Sequence, residues 1–531
     1  MNKKGFTLVE LLAVIAILAI LVIIALPNVL KLYNNAKKNT FLIEAKTIYK
    51  EASSKYITEG LKGNKVSIIN SNGNKLDLNA SDNIKYNIKL DSKGNVEKIK
   101  VDNGEYCISG RFKSVDQLSI DKVTEGKCED IDAVYCSSGL TELSKGSEFV
   151  NGIYTYRYMQ EIGYDISTRK HIWSDITNNG WGVVLTDKES TADIKEVPCT
   201  YIDDIPVVSM QDTYAASKAT NIDLSGINTS HIINMNGLFS ESKVTSLNIS
   251  DFDTSSVTTM KGMFEGTNLR TVDVSNFDTS NVTSMAYMFN GSLFNISEFN
   301  IIGLNNFNTS KVTDMSYMFT FKIFNELDLS NFNTSNVTNM HSMFSGCTIP
   351  TLKGLDKFDT SNVTNMGSMF WVLITDKLDT SNFNTSKVTD MSAMFAGLKG
   401  QIDLSNFDTS KVTNMSTMFN NAKLDTLDLS NFNTSKVENM KNMFRHATIK
   451  NIKGLDKFDT SKVKNMSYMF SYGDFSILDL SSFVLTDNVE LTRMFEETKT
   501  TVGYAKDSKT ASKFNDSSVT SIPSTLTFTV K

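Results

Sequence analysis

The sequence predicts an α/β chain of three parts: a long N-terminal membrane helix, a small α+β head, and a solenoid of about 11–12 units of about 25 residues each. Three observations predict these parts. An apolar run fills residues 6–26, strand-like runs separated by turn signals lie between residues 60 and 140, and one motif recurs at a nearly constant interval from about residue 200.

The composition favours a folded and mildly acidic chain. Of 531 residues, 53 are Lys or Arg and 59 are Asp or Glu, so the net charge is −6. This balance argues against a basic nucleic-acid scaffold, and we expect no nucleic-acid partner for the solenoid. Hydrophobic residues make up 40% of the chain, which suffices for a buried core along most of its length. The five Cys are too few for a scaffold built from disulfides.

The first part of the chain predicts a membrane segment. Residues 6–26 contain a single carboxylate, and a helix of this length rises about 30 Å, which spans a bilayer. Lys3 and Lys4 precede the run, so the positive-inside tendency places the N-terminus in the cytoplasm and the rest of the chain outside. Three interpretations compete: a cleaved secretory signal, a plain anchor, and a processed helix that assembles with other subunits. The pattern of a secretory cleavage site is weak here.

Glu10 favours the third interpretation. An ionised carboxylate within hydrocarbon costs roughly 2.5–3.5 kcal/mol, so it needs a partner. The sequence Lys3-Lys4-Gly5-Phe6-Thr-Leu-Val-Glu10 before an apolar helix resembles the N-terminus of type IV prepilins and pseudopilins.

The prepilin resemblance implies roles for four residues. A prepilin peptidase would cut between Gly5 and Phe6, and the new amino group of Phe6 would be N-methylated. Glu10 would pair with the Phe6 amine of a neighbouring subunit as the helices pack in a filament. Pro27 falls where pilin helices commonly bend, or it marks a helix end near the membrane surface. The implied partners are the peptidase, other pilin or pseudopilin subunits and the lipid bilayer.

A helix laid over an antiparallel sheet is predicted for the pilin-like head. After a leader of residues 1–5, the helix spans residues 6–59, because apolar residues continue at helical spacing beyond the membrane run. The β-rich head covers residues 60–140. Its strand-like runs are residues 86–90, 96–101 and 106–110.

The cysteines of the head offer a disulfide. A bridge from Cys107 to Cys128 or to Cys136 would reinforce the head in an oxidising exterior. Three candidates leave the pairing open.

One unit recurs between about residues 200 and 500. Each unit ends at a Phe that usually follows Met, and all units share one register. Val207, Met210 and Tyr214 occupy the same columns before the first Phe, as a degenerate additional unit. The terminal residues are Phe239, Phe264, Phe289, Phe319, Phe344, Phe370, Phe395, Phe419, Phe444, Phe470 and Phe495.

Each unit is predicted to be strand, turn, helix and return. In the unit that ends at Phe444, Leu427 and Leu429 alternate with a polar residue, as in a short strand with one buried face. Met440, Met443 and Phe444 follow at a spacing that we interpret as a short helix with an inward stripe. A lone unit cannot enclose its own apolar residues, so the units stack into a solenoid.

An Asx-Thr-Ser triplet precedes the Met-Phe pair in most units, and we expect its side-chain oxygens to close the turn and cap the helix. The unit Leu-Asp-Leu-Ser-Asn-Phe-Asx-Thr-Ser-x-Val-x-x-Met-x-x-Met-Phe resembles the repeat of BspA-like leucine-rich repeat surface proteins over residues 201–500. The resemblance implies a leucine-rich-repeat-like solenoid. Residues 141–200 would form an N-terminal cap and linker, and residues 501–531 a C-terminal cap.

No catalytic, cofactor or metal site is predicted, and we expect a protein that is not an enzyme. The sequence contains no Gly-rich phosphate loop, Ser elbow or paired-acid signature. His231, His341 and His446 fall in different columns of the repeat, so no two of them should converge. Cys347 occupies a column of small residues, which indicates an inert buried thiol.

An acidic column is the candidate binding face of the solenoid. Its members lie between the inward strand residues, so they should point outward a few ångströms apart, where like charges repel. A cation or a basic partner would relieve the repulsion, but we favour the simpler interpretation that water and nearby Lys do so. The column consists of Asp223, Asn248, Asp273, Asp328, Asp403, Asp428 and Asp479.

These features predict a binding protein of the bacterial surface. The expected location is a single pass through the cytoplasmic membrane with the C-terminal bulk outside the cell, in a pilus or on the cell surface. The resemblances imply adhesion to host-surface or extracellular-matrix proteins. The alternative is a pseudopilin component of a type II secretion or DNA-uptake apparatus.

Overall fold

The computed structural model describes residues 8–62, 68–71, 75–78, 84–91, 93–128, 134–165, 170–175, 179–292 and 298–531. The chain divides into two compact units, Met1–Tyr135 and Cys136–Lys531. Each unit is presented separately.

Helix α1 spans Leu8–Leu61, and its side chains are described from Val29 onward. The helix continues through Pro27, so the interpretation of Pro27 as a helix end is wrong. Leu30, Lys31 and Leu32 after Pro27 are good helix formers, and farther along the chain the helix is held by the burial of the face that begins at Phe41. Within the described residues, no helix is long and apolar enough to cross a membrane. The membrane run predicted at residues 6–26 lies outside the residues whose side chains are described.

The head of the first unit is an antiparallel sheet whose five strands follow chain order. The helix contributes Phe41, Ala45, Ile48 and Ala52 to its core, at the spacing of one helical face. Strands β2–β4 lie where the sequence predicts strands. The strands are β1 Ile68–Asn70, β2 Lys85–Leu90, β3 Val96–Asp102, β4 Tyr106–Gly110 and β5 Thr124–Glu125. Short 3₁₀ helices span Val115–Gln117 and Ile120–Lys122.

The second unit begins with a six-stranded sheet, in the order β6-β12-β13-β11-β8-β7, beside the hairpin β9-β10. Trp181, Tyr154 and Tyr156 are fully buried in its core. The Tyr154 and Tyr214 hydroxyls are 2.9 Å apart, so the sheet covers the first coil of the repeats. The strands are β6 Tyr135–Cys136, β7 Glu148–Asn151, β8 Tyr154–Tyr158, β9 Gln160–Asp165, β10 Lys170–Asp175, β11 Trp181–Leu185, β12 Tyr201–Ile202 and β13 Ile205–Ser209.

The repeats form a β-solenoid of about 14 revolutions, each called a coil below. Successive coils are parallel, and single β-bridges join one residue of each coil to the next from Ser209 to Glu490. The face that carries the short strands is the strand face. Its strands are β14 Asn221–Asp223, β15 Ser246–Asn248, β16 Thr271–Asp273, β17 Asn300–Ile302, β18 Glu326–Asp328, β19 Thr351–Lys353, β20 Lys399–Gly400, β21 Lys423–Asp428, β22 Thr448–Lys453, β23 Asp474–Phe475 and β24 Leu478–Leu480. Single 3₁₀ turns span Leu304–Asn306, Leu355–Lys357 and Leu455–Lys457.

The helix predicted in each unit is wrong, and the fold class changes from α/β to mostly β. In the unit of Phe444, the Met443 N–H donates to the Met440 carbonyl at 3.2 Å, which closes a tight turn. Asn442 and His446 then adopt φ of +56°, a left-handed conformation through which an α-helix of L-residues cannot continue. The Phe444 N–H therefore points out of its own coil and donates to the Met469 carbonyl of the next coil at 2.9 Å.

A stack of phenylalanine rings fills the solenoid core. The terminal Phe residues from Phe239 to Phe495 are fully buried, with neighbouring ring centroids 5.5–6.0 Å apart and ring planes within 16° of parallel. Tyr214 extends the stack at its N-terminal end, 5.4 Å from Phe239. This contact fits the additional unit predicted there.

The Asx-Thr-Ser triplet closes a turn and also joins the coils. The Asn384 Oδ1 accepts the Ser386 N–H at 3.1 Å, as expected of an Asx turn, although no helix follows it. The buried Thr360 hydroxyl donates to the Asn384 carbonyl at 3.0 Å and accepts the Asn384 N–H at 2.7 Å. One hydroxyl thus bonds both the N–H and the carbonyl of the Asx residue in the next coil. This role explains why the middle position of the triplet is Thr.

The tail covers the last coil. Phe514 and Phe528 lie 5.5 and 4.8 Å from Phe495, so the Phe stack ends against other aromatic rings and not against water. The tail elements are β25 Val502–Ala505, α2 Ser508–Phe514, α3 Ser517–Thr520 and β26 Thr527–Val530.

Candidate functional site

The processing residues are predicted from the sequence alone. Gly5 and Phe6 lie outside the described residues. Glu10 and Pro27 belong to helix α1, in the stretch whose side chains are not described. The roles of these four residues stay predictions.

The structure pairs four of the five cysteines. Cys107 is bonded to Cys128 within the head, which is one of the pairings that the sequence left open. Cys136 is bonded to Cys199, across 63 residues of sequence. The sequence prediction did not include Cys199, since spacing alone does not reveal a partner so far along the chain.

The aspartates of the acidic column serve the turns of the strand face. Asp328 Oδ1 accepts the Ser330 N–H at 2.9 Å, and Asp428 Oδ1 accepts the Ser430 N–H at 3.0 Å. The same bond to the serine two residues later occurs at Asp223, Asp273, Asp403 and Asp479. Each of these carboxylates therefore has a local structural role.

Local hydrogen bonds lower the pKa values of the aspartates in the acidic column. Hydrogen bonds from Ser330 hold the pKa of Asp328 below its usual value, and those from Ser430 do the same for Asp428. At Asp479 partial burial acts to raise the pKa, but hydrogen bonds from Lys531 and Ser481 lower it overall.

Where the strands of the acidic column pair, their register keeps the aspartates from facing one another. Asn248 faces Asp223 and donates to its Oδ1 at 2.9 Å. In the other strand pairings the residues opposite the aspartates are not acidic. They are Ile302 opposite Asp273, Lys353 opposite Asp328, Lys453 opposite Asp428 and Tyr504 opposite Asp479. Like charges do not face each other in these pairs, and whether the column binds a partner stays a prediction.

The remaining candidate groups lie apart from one another. His341 contacts the Tyr317 ring, and His446 stacks on Tyr472 at 4.7 Å. Cys347 is fully buried, and burial raises the pKa of its thiol to about 12. Among the described residues, no group of three or more His, Cys, Asp or Glu side chains is placed to hold a metal ion.

Two buried lysines are features that the sequence did not indicate, because neither stands out in composition or spacing. Lys188 lies in the N-terminal cap and donates to the Asp212 carbonyl at 2.6 Å. Lys322 places its ammonium 4.2 Å from the centre of the Phe299 ring. Burial lowers the pKa of Lys188 to about 7 and that of Lys322 to about 8.

The Lys188 environment predicts a pH-dependent stability. The folded pKa of about 7 lies below the ordinary value of 10.5, so between these two values the unfolded chain binds more protons than the folded chain. The free energy of unfolding should therefore rise by roughly 3 kcal/mol as the pH increases from about 7 to 10. Lys188→Met should remove this part of the rise, measured by urea unfolding at each pH. Identical pH profiles of the two proteins would contradict the prediction.

The strand face also contains an open cavity that the sequence did not predict. Its volume is about 530 Å³, and it lies between the coil of Leu373–Asp379 and the coil of Leu398–Asp403. No strand pairing joins these two coils, both of which the structure describes in full, and strand pairing between coils cannot be read from one sequence.

Two family models match the chain. The prokaryotic N-terminal methylation motif matches residues 1–26, and this match implies processing by a prepilin peptidase and pilin-type partners. No curated protein and no solved structure matches the chain. The model described as "Mycoplasma protein of unknown function, DUF285" matches residues 208–301, 291–401, 350–452 and 398–507, which together exceed half of the chain. The chain therefore belongs to the DUF285 family, with a prepilin-type motif at its N-terminus.

Proposed function

We propose that this protein is a pilin-like surface protein that displays its solenoid outside the cell for adhesion or protein binding. The observation that carries the proposal is the presence of both parts in one chain, a prepilin methylation motif at residues 1–26 and a capped solenoid of repeats. In this proposal, peptidase cleavage after Gly5 produces a helix that stays in the cytoplasmic membrane or enters a pilus. The solenoid then acts as a binding module and not as an enzyme.

The disulfides support an extracellular position for the bulk of the chain. Cys107–Cys128 lies in the head and Cys136–Cys199 in the cap of the solenoid. Such bonds form and persist in oxidising surroundings outside the cytoplasm. The orientation that Lys3 and Lys4 predict exports both pairs to that side.

The solenoid supports a binding role because it offers long, regular and accessible faces. Both of its ends are covered, by the sheet that contacts Tyr214 and by the tail that contacts Phe495. Capped ends prevent end-to-end stacking, so the sides are the surfaces left for partners. The resemblance of the repeat to BspA-like surface proteins favours host-surface or extracellular-matrix proteins as those partners.

Processing of the leader tests the N-terminal half of the proposal. Gly5→Leu should abolish cleavage in cells that contain the prepilin peptidase, leaving the full-length chain, whereas Glu10→Ala should still be cleaved. Sequencing of the mature N-terminus and detection of N-methyl-Phe6 measure the outcome. Equal processing of wild type and Gly5→Leu would contradict the assignment.

The location of the solenoid tests the second half of the proposal, its display outside the cell. Antibody labelling of intact cells should detect the solenoid, and mechanical shearing should show whether it leaves the cell with filaments or stays in the membrane. Cells that lack the protein should adhere less to matrix-coated surfaces. Normal adhesion combined with a loss of protein secretion or DNA uptake would instead favour the pseudopilin alternative.

A further inference from the structure

The strand face is divided into several separate groups of paired strands, and the cavity at one of these interruptions is named the slot. On one side lies the coil segment 373–379 and on the other the segment 398–403. Strand β19 precedes the slot and strand β20 begins at its far side, so no strand occupies residues 354–398 in this fully described part of the chain.

Backbone N–H groups in the two segments that border the slot lack strand partners. Where two coils pair on this face, the backbone hydrogen bonds between them extend beyond the ends of the strands. The Leu429 N–H, for example, donates to the Lys453 carbonyl of the next coil at 3.0 Å. Within residues 298–531, all described, the N–H groups of Lys377, Leu378 and Ile402 donate to no backbone carbonyl. Such unpaired edges are the groups through which strands add to a sheet.

The two coils stay in contact beside the slot. On the opposite side of the core, the Phe370 and Phe395 rings stack at 5.9 Å, and a β-bridge joins Asn365 to Asp390. Below the slot, the Thr380 hydroxyl donates to the Asp403 carbonyl at 3.2 Å. The opening therefore has a closed floor and a mouth that faces solvent.

The lining of the slot is suited to an alternating side-chain pattern. Leu373 and Leu398 are buried at its floor, and Leu378 and Ile402 are half-buried in its walls. Polar and charged residues surround them. These are Thr375, Asp376, Lys377, Lys399, Gln401 and Asp403.

We propose that the slot binds an extended polypeptide segment of a partner protein by β-strand addition. The cleft is apolar and has unpaired backbone donors in both of its bordering segments. An extended peptide matches it, because such a peptide offers backbone amides for hydrogen bonds and apolar side chains at alternate positions. A volume of about 530 Å³ falls within the range of ligand sites in proteins. A second break, between Asn300–Asn305 and Phe324–Asp328, encloses about 240 Å³, which is below that range.

The inference deepens the proposed function, since it names a surface and a ligand class for the solenoid. It rests on that function in one respect, because the slot must lie outside the cell to meet a foreign protein. Binding to purified protein does not depend on location. Failure of binding and failure of surface display are thus separate outcomes.

The test selects peptides from a random decapeptide phage library on the purified full-length protein. The variant Ile402→Ser removes an apolar wall of the slot. Ile452→Ser is its matched control, because Ile452 is half-buried at the same strand position but belongs to strand β22, which is paired with β21. Selected peptides should bind wild type and Ile452→Ser alike and bind Ile402→Ser at least about tenfold more weakly. An absence of enriched peptides, or equal loss in both variants, would overturn the proposal.

A second measurement tests the backbone contacts. The best selected peptide is resynthesised with N-methyl groups on alternate amides, which removes strand donors and keeps the side chains. We expect at least about tenfold weaker binding for one of the two methylated registers, and slower hydrogen exchange of residues 377–379 and 401–403 when the unmodified peptide is bound. Unchanged affinity in both registers would show that the peptide does not bind as a strand.

Discussion

Phe370→Ala is expected to lower the free energy of unfolding of the solenoid by about 3–5 kcal/mol. Phe370 is fully buried near the middle of the ring stack, with Phe344 at 6.0 Å and Phe395 at 5.9 Å. Truncation removes the burial of a large apolar side chain and leaves a cavity between two rings that the other coils hold in place. The surrounding coils cannot collapse fully into it, because their spacing is set by backbone bridges on either side.

The effect should be local in origin but transmitted along the repeats. Each coil of a solenoid is stabilised mainly by its two neighbours, so a weakened interface near the middle divides the stack into two shorter ones. Urea unfolding followed by circular dichroism gives the free energy, and hydrogen exchange gives its distribution. Exchange should become faster first in the coils adjacent to Phe370.

An exposed apolar residue provides the control. Ile477 is 46% exposed, so Ile477→Ala should change the free energy of unfolding by less than about 0.5 kcal/mol. A loss below about 1 kcal/mol for Phe370→Ala would mean that the stacked rings do not hold the coils together.

The repeat could be predicted from the sequence because one residue type marks each coil. The column of terminal Phe residues fixed the period and the inward face, and Leu427 and Leu429 gave the strand with its buried side. These patterns depend on which residues are buried, and burial is what periodicity reports. The prediction of a stacked core was correct for that reason.

The conformation between the buried residues could not be predicted in the same way. Met440, Met443 and Phe444 are buried in the structure as expected. They lie on two tight turns that contain left-handed residues, and not on a helix. A signal was present, since Gly237 and Gly262 occupy the column of Asn442 with φ of +57° and +63°. Glycine in two units indicated a left-handed position for all of them.

The candidate site was predictable only where it is local in sequence. The N-terminal motif lies within residues 1–26 and matches its family model. The slot, the Lys188 environment and the Cys136–Cys199 bond join residues from different coils or strands, so they depend on tertiary packing. The acidic column illustrates the difference, because all its members except Asp403 lie in strands as predicted, while the neutral or basic partners opposite them depend on register.

Removal of the Cys136–Cys199 bond is the second change with a large expected effect. In the chain-entropy description, a bond that closes a loop of 63 residues stabilises the folded state by roughly 4 kcal/mol, because it restricts the unfolded chain. The double variant Cys136→Ser, Cys199→Ser should lose about this amount. The loss should appear first in the sheet of Trp181, which covers the first coil of the solenoid.

The head disulfide provides the comparison. Cys107–Cys128 closes a loop of 21 residues, so Cys107→Ser, Cys128→Ser should cost roughly 3 kcal/mol and affect the head. Tryptophan fluorescence during urea unfolding reports on the cap when Trp371 of the solenoid is replaced by Phe in every protein compared, and helical circular dichroism reports on the unit that contains α1. If the cap variant unfolds at the wild-type urea concentration, the bond does not hold the cap in place. Because both bonds require an oxidising environment, mass spectrometry of protein from intact cells should find one free thiol per chain, that of Cys347.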